Sequence, residues 1–175
     1  MTEVPGFELQ DLDDASRAFP SPRPTLLCFV KEDCATCNLA VPLIQSMHGA
    51  FGASANIWMI SQTRDGGLIL KDRHGLTLPI LDDTELKTSF AYNFDIVPAI
   101  YWCPDGASAG TMFEGFVKPE WQSLNTEIAE AIETAATQID WDSLPDWRPG
   151  CGAKHLDPDI HDRLQAEAED SPIRA

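Results

Sequence analysis

Two cysteines separated by two residues, Cys34 and Cys37, form the part of the sequence best suited to chemistry. Thiols at this spacing can close a disulfide with each other, or they can supply half of a metal site. A four-cysteine zinc site needs a second such pair, but Cys103 and Cys151 are single cysteines that stand 48 positions apart. The pattern therefore favours a redox-active dithiol over a structural metal centre.

The segments on either side of the two cysteines predict how the chain holds them. Residues 25–30 form a continuous apolar run typical of a buried parallel strand, and residues 55–61 form a second one. Between them, apolar residues recur at helical spacing from Asn38 onward. The cysteines would then stand at a helix N-terminus, where free N–H groups and the helix dipole favour a thiolate. We expect Cys34 to be the attacking thiolate and Cys37 to resolve the mixed disulfide.

Apolar periodicity and turn signals predict the remaining elements. The predicted helices lie at about residues 11–19, within 62–77, at 85–92, 121–139 and 157–170, and the predicted strands at 78–81, 99–103 and 111–116. The helix that starts at the two cysteines and the strands beside it form a β-α-β unit.

Taken together, these features resemble the thioredoxin superfamily over roughly residues 25–140. The resemblance rests on the strand before Cys34, the Cys-Ala-Thr-Cys helix start, the Val97-Pro98 pair before another strand, a glycine-containing hairpin and a final helix. An extra segment at about residues 62–95 is similar to the TlpA-like branch of thiol-disulfide oxidoreductases. The resemblance implies an α/β fold, with a thioredoxin-like central mixed sheet flanked by helices and followed by a C-terminal extension.

The resemblance also implies a substrate-binding role for Val97 and Pro98. In this superfamily the matching proline has a cis peptide bond and faces the two cysteines, and the backbone of the residue before it pairs with the substrate as an added strand. Proline itself presents no competing N–H group. We therefore expect Val97 to offer its backbone to a disulfide substrate, with Pro98 beside the dithiol.

Two positions near the dithiol depart from the pattern of the superfamily. Asp33 replaces the usual tryptophan before the first cysteine, and a neighbouring acid disfavours a thiolate, although Lys31 could offset it. The buried acid that accepts a proton in thioredoxin corresponds to Cys28, which its apolar strand predicts to be a core residue. Glu32 is then the nearest candidate for proton transfer, and an exposed surface carboxylate is the alternative.

Residues 141–175 differ in character from the rest and form a predicted C-terminal extension, as residues 1–24 form an N-terminal one. The C-terminal extension carries Cys151 between two glycines, which permit close approach of the backbone. Three nearby side chains could lower the pKa of its thiol, namely Arg148, Lys154 and His155. Two interpretations stay open for Cys151: an ordinary exposed thiol, or a third redox cysteine that exchanges with the dithiol.

The five tryptophans divide into two groups. Trp58, Trp102 and Trp121 occupy strand or helix positions that predict burial in the core. Trp141 and Trp147 lie in the C-terminal extension, and we expect both to anchor it, because large aromatic side chains bury much area.

The charge of the chain limits the classes of partner. Twelve basic and 28 acidic residues give a net charge of −16, which disfavours nucleic acid and anionic membranes because both attract clustered Lys and Arg. The lack of a long apolar run and of a recognisable signal peptide predicts a cytoplasmic protein. We expect no cofactor, a protein or small-molecule disulfide as substrate, and glutathione or an upstream reductase as the source of electrons.

Two other functions are alternatives to a thiol-disulfide oxidoreductase. A thiol peroxidase would need Thr or Ser three residues before its cysteine, whereas Lys31 precedes Cys34 at that spacing, so the pattern is absent. The second alternative is a thioredoxin-fold adaptor, or a binder of a soft metal such as Cu(I) or Zn(II), without turnover. Tightly held metal that blocks alkylation of Cys34 and Cys37 would favour that alternative.

Overall fold

The computed structural model describes residues 1–170, and strands alternate with helices along most of this length. The strands are Thr2–Glu3 (β1), Phe7–Gln10 (β2), Ser16–Phe19 (β3), Thr25–Val30 (β4), Asn56–Ser61 (β5), Ile80–Asp82 (β6), Ile96–Val97 (β7), Ala99–Cys103 (β8), Ser108–Ala109 (β9), Thr111–Glu114 (β10), Phe116–Val117 (β11), Trp147–Arg148 (β12) and Cys151–Gly152 (β13). The α-helices are Ala35–Phe51 (α1), Arg64–His74 (α2), Lys87–Tyr92 (α3), Lys118–Ala131 (α4) and Pro158–Glu169 (α5).

A five-stranded mixed sheet in the order β10-β8-β4-β5-β6 forms the centre of the fold. Strand β4 pairs in parallel with β5, and β5 with β6, whereas β8 runs antiparallel to both β4 and β10. All six residues of β4 are buried, as its continuous apolar sequence predicts for a strand covered on both faces. The predicted α/β class and the predicted strands at 25–30 and 99–103 are confirmed.

The helix that carries the dithiol, α1, begins directly after Cys34. The backbone of Cys34 is extended, and its sulfur accepts a hydrogen bond from the backbone N–H of Cys37 at 3.2 Å, so that Cys34 is the N-cap. One face of α1 is buried in the core, and the helix contacts β5 and α4. The predicted position of the dithiol, between a buried strand and a helix N-terminus, is confirmed.

The N-terminal region contains a hairpin where the sequence analysis predicts a helix. Strands β2 and β3 pair antiparallel, and the Asp11 carboxylate accepts backbone N–H groups of Asp13 and Ala15 in the turn between them. The rings of Phe7 and Phe19 stack with their centroids 5.5 Å apart. The prediction of a helix over residues 11–19 is wrong, because the aspartate turn and the aromatic pair favour the hairpin.

Helix α4 ends earlier than its apolar periodicity predicts. Glu133 has a positive φ of 56°, the backbone N–H of Thr134 donates to the Ala129 carbonyl, and that of Glu133 donates to Glu130. These bonds form a Schellman ending, here with glutamate at the usual glycine position. The Asn125 side chain then makes two hydrogen bonds to the backbone of Thr137. The prediction that the helix reaches residue 139 is therefore wrong.

The C-terminal extension returns across the domain instead of standing apart. Strand β12 pairs with β11, and β13 pairs with β7. The final helix α5 confirms the predicted helix at 157–170. Trp58, Trp102 and Trp121 are buried as predicted, but Trp147 is 62% exposed, so it does not anchor the extension as expected. Within residues 1–170, none of the helices has both the length and the apolar character needed to cross a lipid bilayer.

Candidate active site

The two cysteine sulfurs lie at the N-terminus of α1 and are closed off from solvent. Cys34 and Cys37 both have an exposed fraction of 0%. The Cys34 sulfur lies 3.7 Å from the carbonyl oxygen of Val97, which belongs to β7 across the site. The Val97–Pro98 peptide bond is cis. The structure therefore brings together the four residues that the sequence analysis assigns to attack, resolution and substrate binding, while their roles stay predictions.

The thiol of Cys34 is strongly acidic. A hydrogen bond from the Cys37 thiol lowers its pKa most, and bonds from the Cys151 thiol and from the backbone N–H groups of Cys37 and Thr36 lower it further. Burial opposes these effects, and the resulting pKa is about 5. Cys34 is therefore a thiolate at neutral pH, although the neighbouring acid Asp33 disfavours its ionisation.

Asp33 has little influence because its carboxylate is exposed and paired with a cation. Its side chain is 71% exposed and lies 3.7 Å from the ammonium group of Lys31. An exposed carboxylate paired with a cation has only a weak field at a neighbouring site. The N-cap position and the two thiol donors therefore determine the state of Cys34.

The second cysteine of the pair has the opposite character. Burial raises the pKa of Cys37 well above its ordinary value, and its hydrogen bond to the Cys34 sulfur raises it further. At neutral pH the site thus holds one thiolate and one protonated thiol. This division of charge is what an attacking cysteine and a resolving cysteine need.

The backbone edge at Val97 is occupied by the protein itself. In the antiparallel pairing of β13 with β7, Cys151 lies opposite Val97, and Gly152 lies opposite Ile96. The resemblance implies that a substrate pairs with this edge as an added strand. The C-terminal extension occupies the same edge in the structure.

Cys151 thereby becomes the third thiol of the site. Its pKa is raised by burial and by the hydrogen bond that it donates to the Cys34 sulfur, while Lys31 lowers it. The expectation that Arg148, Lys154 and His155 lower this pKa is wrong in its outcome. Burial and the Cys34 sulfur raise the pKa of Cys151, and the cation that lowers it, Lys31, lies far from Cys151 in the sequence.

Polar contacts hold the extension at this position. The Thr36 hydroxyl donates to the carbonyl oxygen of Pro149, and the backbone N–H of Ala153 donates to Asp95 at 3.0 Å. Gly150 lies so close to β7 that an added Cβ atom would overlap Ile96 and the Val97 carbonyl oxygen. Glycine is required here because of this close approach.

A buried polar group behind the site contributes an anchor that the sequence analysis misses. The Gln62 side chain accepts the backbone N–H of Lys154 at 2.8 Å and lies 3.3 Å from the His155 ring. His155 is buried, its ring lies edge-on to that of Phe94, and burial lowers its pKa. A polar residue directly after the buried strand β5, at the sheet end where the dithiol lies, is the available signal for Gln62.

The other cysteines and Glu32 lie away from the exchange chemistry. Cys28 and Cys103 are buried strand residues whose pKa values are raised by burial, that of Cys103 to about 12. The Glu32 carboxylate lies against Gly66 in the first turn of α2, and its assignment to proton transfer stays a prediction. Among residues 1–170, no group of three or more His, Cys, Asp or Glu side chains is arranged to hold a metal ion.

The chain is similar to known proteins in structure but not in sequence. No protein-family model matches the chain, and no curated protein does. A candidate thiol:disulfide interchange protein DsbE from Chlorobium tepidum has a TM-score of 0.68 at 14% identity, over 75% of this chain and 96% of that one. A candidate protein disulfide isomerase from Bacteroides thetaiotaomicron has a TM-score of 0.67 at 15% identity, over 75% of this chain and 89% of that one.

A third solved structure is a secreted disulfide oxidoreductase from Mycobacterium tuberculosis that is homologous to DsbE of E. coli. Its TM-score is 0.60 at 17% identity, over 71% of this chain and 95% of that one. The chain has a thioredoxin-like fold. This finding confirms the fold that the resemblance implies, and the site described above lies where β4 passes into α1 of that fold.

Proposed function

We propose that the protein is a thiol-disulfide oxidoreductase that uses the Cys34–Cys37 dithiol. The observation that carries the proposal is the position of Cys34 as the N-cap of α1, one helical turn from Cys37, where the pKa of Cys34 is lowered and that of Cys37 is raised. Cys34 can attack a disulfide at neutral pH. Cys37 becomes a nucleophile only after Cys34 has reacted, because the negative charge on Cys34, which raises the pKa of Cys37, is then gone.

The exchange proceeds in two substitutions at sulfur. The Cys34 thiolate attacks one sulfur of a substrate disulfide, forms a mixed disulfide and releases the other substrate sulfur as a thiolate. That thiolate takes the proton of Cys37, and the Cys37 sulfur attacks Cys34. The second substrate sulfur leaves as a thiolate, so that two electrons pass to the substrate and a Cys34–Cys37 disulfide remains.

The partners of this reaction are a disulfide substrate and a source of electrons. The names of the similar structures, a disulfide interchange protein, a disulfide isomerase and a disulfide oxidoreductase, support a protein disulfide as one substrate class. We propose glutathione or an upstream reductase for resetting the dithiol. Val97 and Pro98, beside the Cys34 sulfur, would bind either partner once the C-terminal extension leaves the Val97 edge.

A redox titration with glutathione, read by alkylation and mass-spectrometric mapping of disulfides, tests the proposal. We expect Cys34 and Cys37 to pair reversibly, while Cys28 and Cys103 stay reduced. The absence of this pair at every ratio of reduced to oxidised glutathione would exclude the oxidoreductase. Tightly bound, stoichiometric metal that blocks alkylation of the two cysteines would instead favour the soft-metal binder.

We also propose a cytoplasmic location. The support is the sequence, in which no long apolar run is present. One of the similar structures is a secreted protein, so the compartment needs its own experiment. Cell fractionation followed by an immunoblot of the native protein would show it, and recovery outside the cytoplasm would contradict the proposal.

A further inference from the structure

The dithiol is closed off from solvent while the C-terminal extension is paired with β7. All five cysteines lie among the described residues, and four of them, including Cys34, are fully buried. Cys151 alone among the five is partly exposed. An external disulfide that meets the folded protein therefore reaches Cys151 before the other four cysteines.

The placement of Cys151 is that of a substrate cysteine. Its strand β13 pairs with β7 in the register that sets Cys151 opposite Val97, and strand addition is a general way to bind an extended peptide. The carbonyl oxygen of Val97, the residue opposite Cys151, lies 3.7 Å from the Cys34 sulfur, so Cys151 lies beside the dithiol. The extension thus supplies both the backbone and the sulfur that a bound disulfide peptide would supply.

Contacts on both sides of Cys151 are specific to this placement. Thr36 lies inside the Cys-Ala-Thr-Cys sequence, and its hydroxyl group donates a hydrogen bond to the carbonyl oxygen of Pro149, two residues before Cys151. On the other side, Gln62 and Asp95 accept the backbone N–H groups of Lys154 and Ala153. The segment is therefore fixed to the dithiol end of the domain by polar groups of the domain itself.

We propose, on the basis of the oxidoreductase function above, that Cys151 is a relay cysteine. External disulfides exchange at Cys151, and a Cys34–Cys151 disulfide is an obligatory intermediate. The protein then acts on disulfides that a single partly exposed thiol can reach, such as oxidised glutathione or a disulfide on a protein surface. Such a substrate does not need to pair with Val97, because β13 already does.

The first step of the relay takes place at the surface. The Cys151 sulfur attacks the external disulfide while its proton passes to the neighbouring Cys34 thiolate. A bond forms between Cys151 and one substrate sulfur, and the other substrate sulfur leaves as a thiolate. That thiolate takes up the proton from Cys34, so that the first product is a thiol and Cys34 is again a thiolate.

Two further substitutions carry the oxidation inward. The Cys34 thiolate attacks the Cys151 sulfur, the Cys34–Cys151 disulfide forms, and the second substrate sulfur leaves and takes the proton of Cys37. The Cys37 thiolate then attacks Cys34, forms the Cys34–Cys37 disulfide and releases Cys151 as a thiolate. In total, two electrons and two protons reach the substrate.

The decisive experiment uses the full chain with Cys37→Ser and oxidised glutathione. This variant lacks the last step, so we expect the Cys34–Cys151 disulfide to accumulate as the main product in the disulfide map. A Cys34–glutathione mixed disulfide with Cys151 left free would overturn the relay. Acid quenching of the wild-type protein at early times is the second measurement, in which the same disulfide should precede the Cys34–Cys37 disulfide.

A rate comparison supplies the matched control. Cys151→Ser should slow oxidation of the dithiol by oxidised glutathione about tenfold or more, because the accessible thiol is lost. Cys103→Ala removes a cysteine at the opposite end of the sheet, where Cys103 pairs with Thr25, and should leave the rate unchanged. An unchanged or faster rate in Cys151→Ser would overturn the relay and make the extension a cover only.

The two proposals fail in different ways. If the wild-type protein forms a reversible Cys34–Cys37 disulfide but neither measurement finds Cys34–Cys151, the relay is wrong and the oxidoreductase stands. If the wild-type protein forms no disulfide at Cys34 at all, the oxidoreductase itself is wrong. Circular dichroism of each reduced variant checks that the fold is kept.

Discussion

Cys34 has two thiol neighbours, and the molecule holds them in opposite ways. Cys37 lies one helical turn away, is fully buried, and is placed by the backbone of a 17-residue helix. Cys151 lies 117 positions after Cys34 in the chain, on a two-residue strand, and is partly exposed. The first neighbour cannot leave while α1 is folded, whereas the second can leave when a few hydrogen bonds open.

This difference separates two kinds of stability within one site. A buried helix opens only at a free-energy cost close to that of global unfolding, while short edge segments open at a small fraction of it. Cys37 is therefore suited to be the permanent resolving partner. The segment with Cys151 is suited to meet solvent and external disulfides, and its release would uncover Cys34.

The largest effect should come from the residue that both neighbours share. Cys34→Ser removes the thiolate on which both contacts depend, so disulfide reduction should fall roughly a thousandfold or more, toward the uncatalysed rate. Turnover of oxidised glutathione coupled to an upstream reductase measures this loss. Retention of more than a small part of the activity would show that neither Cys37 nor Cys151 acts through Cys34.

The packing of the C-terminal extension against β7 can be disrupted without replacing a cysteine. Gly150→Ala places a Cβ atom against Ile96 and the Val97 carbonyl oxygen, an overlap that costs about 1–3 kcal/mol. Release of the segment would relieve it, so alkylation of Cys34 by iodoacetamide should become about 5- to 150-fold faster.

Gly152→Ala is the matched control for this variant. A Cβ atom at Gly152 meets nothing within 4 Å, and both changes add one methyl group to the same segment. Equal alkylation rates in the two variants would mean that close packing at Gly150 does not hold the extension over Cys34.

The sequence predicts the helix side of the site because the signals there are local. A buried apolar strand and two cysteines at the start of a helical pattern predict the position of the dithiol, and the resemblance to the thioredoxin superfamily adds Val97-Pro98 and the fold. Each of these signals lies within a short stretch of chain, where the spacing of apolar residues and the capping of helix ends determine the structure.

The extension side could not be predicted in the same way. The pairing of Cys151 with Val97 joins two short strands that have no periodic pattern, and β-pairing of this kind depends on the rest of the fold. The same reason explains the wrong expectation for His155: its position in the sequence suggests a cation beside a thiol, but in the fold it is buried against Phe94. Charges near in sequence reveal little about which thiol they face.

The acidity of Cys34 tests how unequal its two neighbours are. Both thiols lower its pKa by donating hydrogen bonds, and the bond from Cys37 has the larger effect. Cys37→Ala should therefore raise the pKa of Cys34 more than Cys151→Ala does, since each change removes one donor. The pH dependence of thiolate absorbance in the ultraviolet gives both values. The reverse order would mean that Cys151, and not Cys37, mainly stabilises the thiolate.

The lowered pKa of Cys34 should also make stability depend on pH in a way that only the reduced protein shows. The pKa of Cys34 is about 5 in the folded protein and 9.0 for an ordinary thiol. Between these values the unfolded chain binds a proton that the folded one does not, so the free energy of unfolding rises as the pH rises from about 5 to about 9.

Below about pH 5 this stabilisation is lost, because Cys34 is then protonated in both states. The Cys34–Cys37 disulfide has no thiol to titrate, so it lacks the same contribution. The difference in Tm between the reduced and oxidised proteins should therefore shift toward the reduced form between pH 5 and 9. Cys34→Ser, reduced, is the control and should show none of this shift. A difference in Tm independent of pH would mean that Cys34 is an ordinary thiol despite its place at the start of α1.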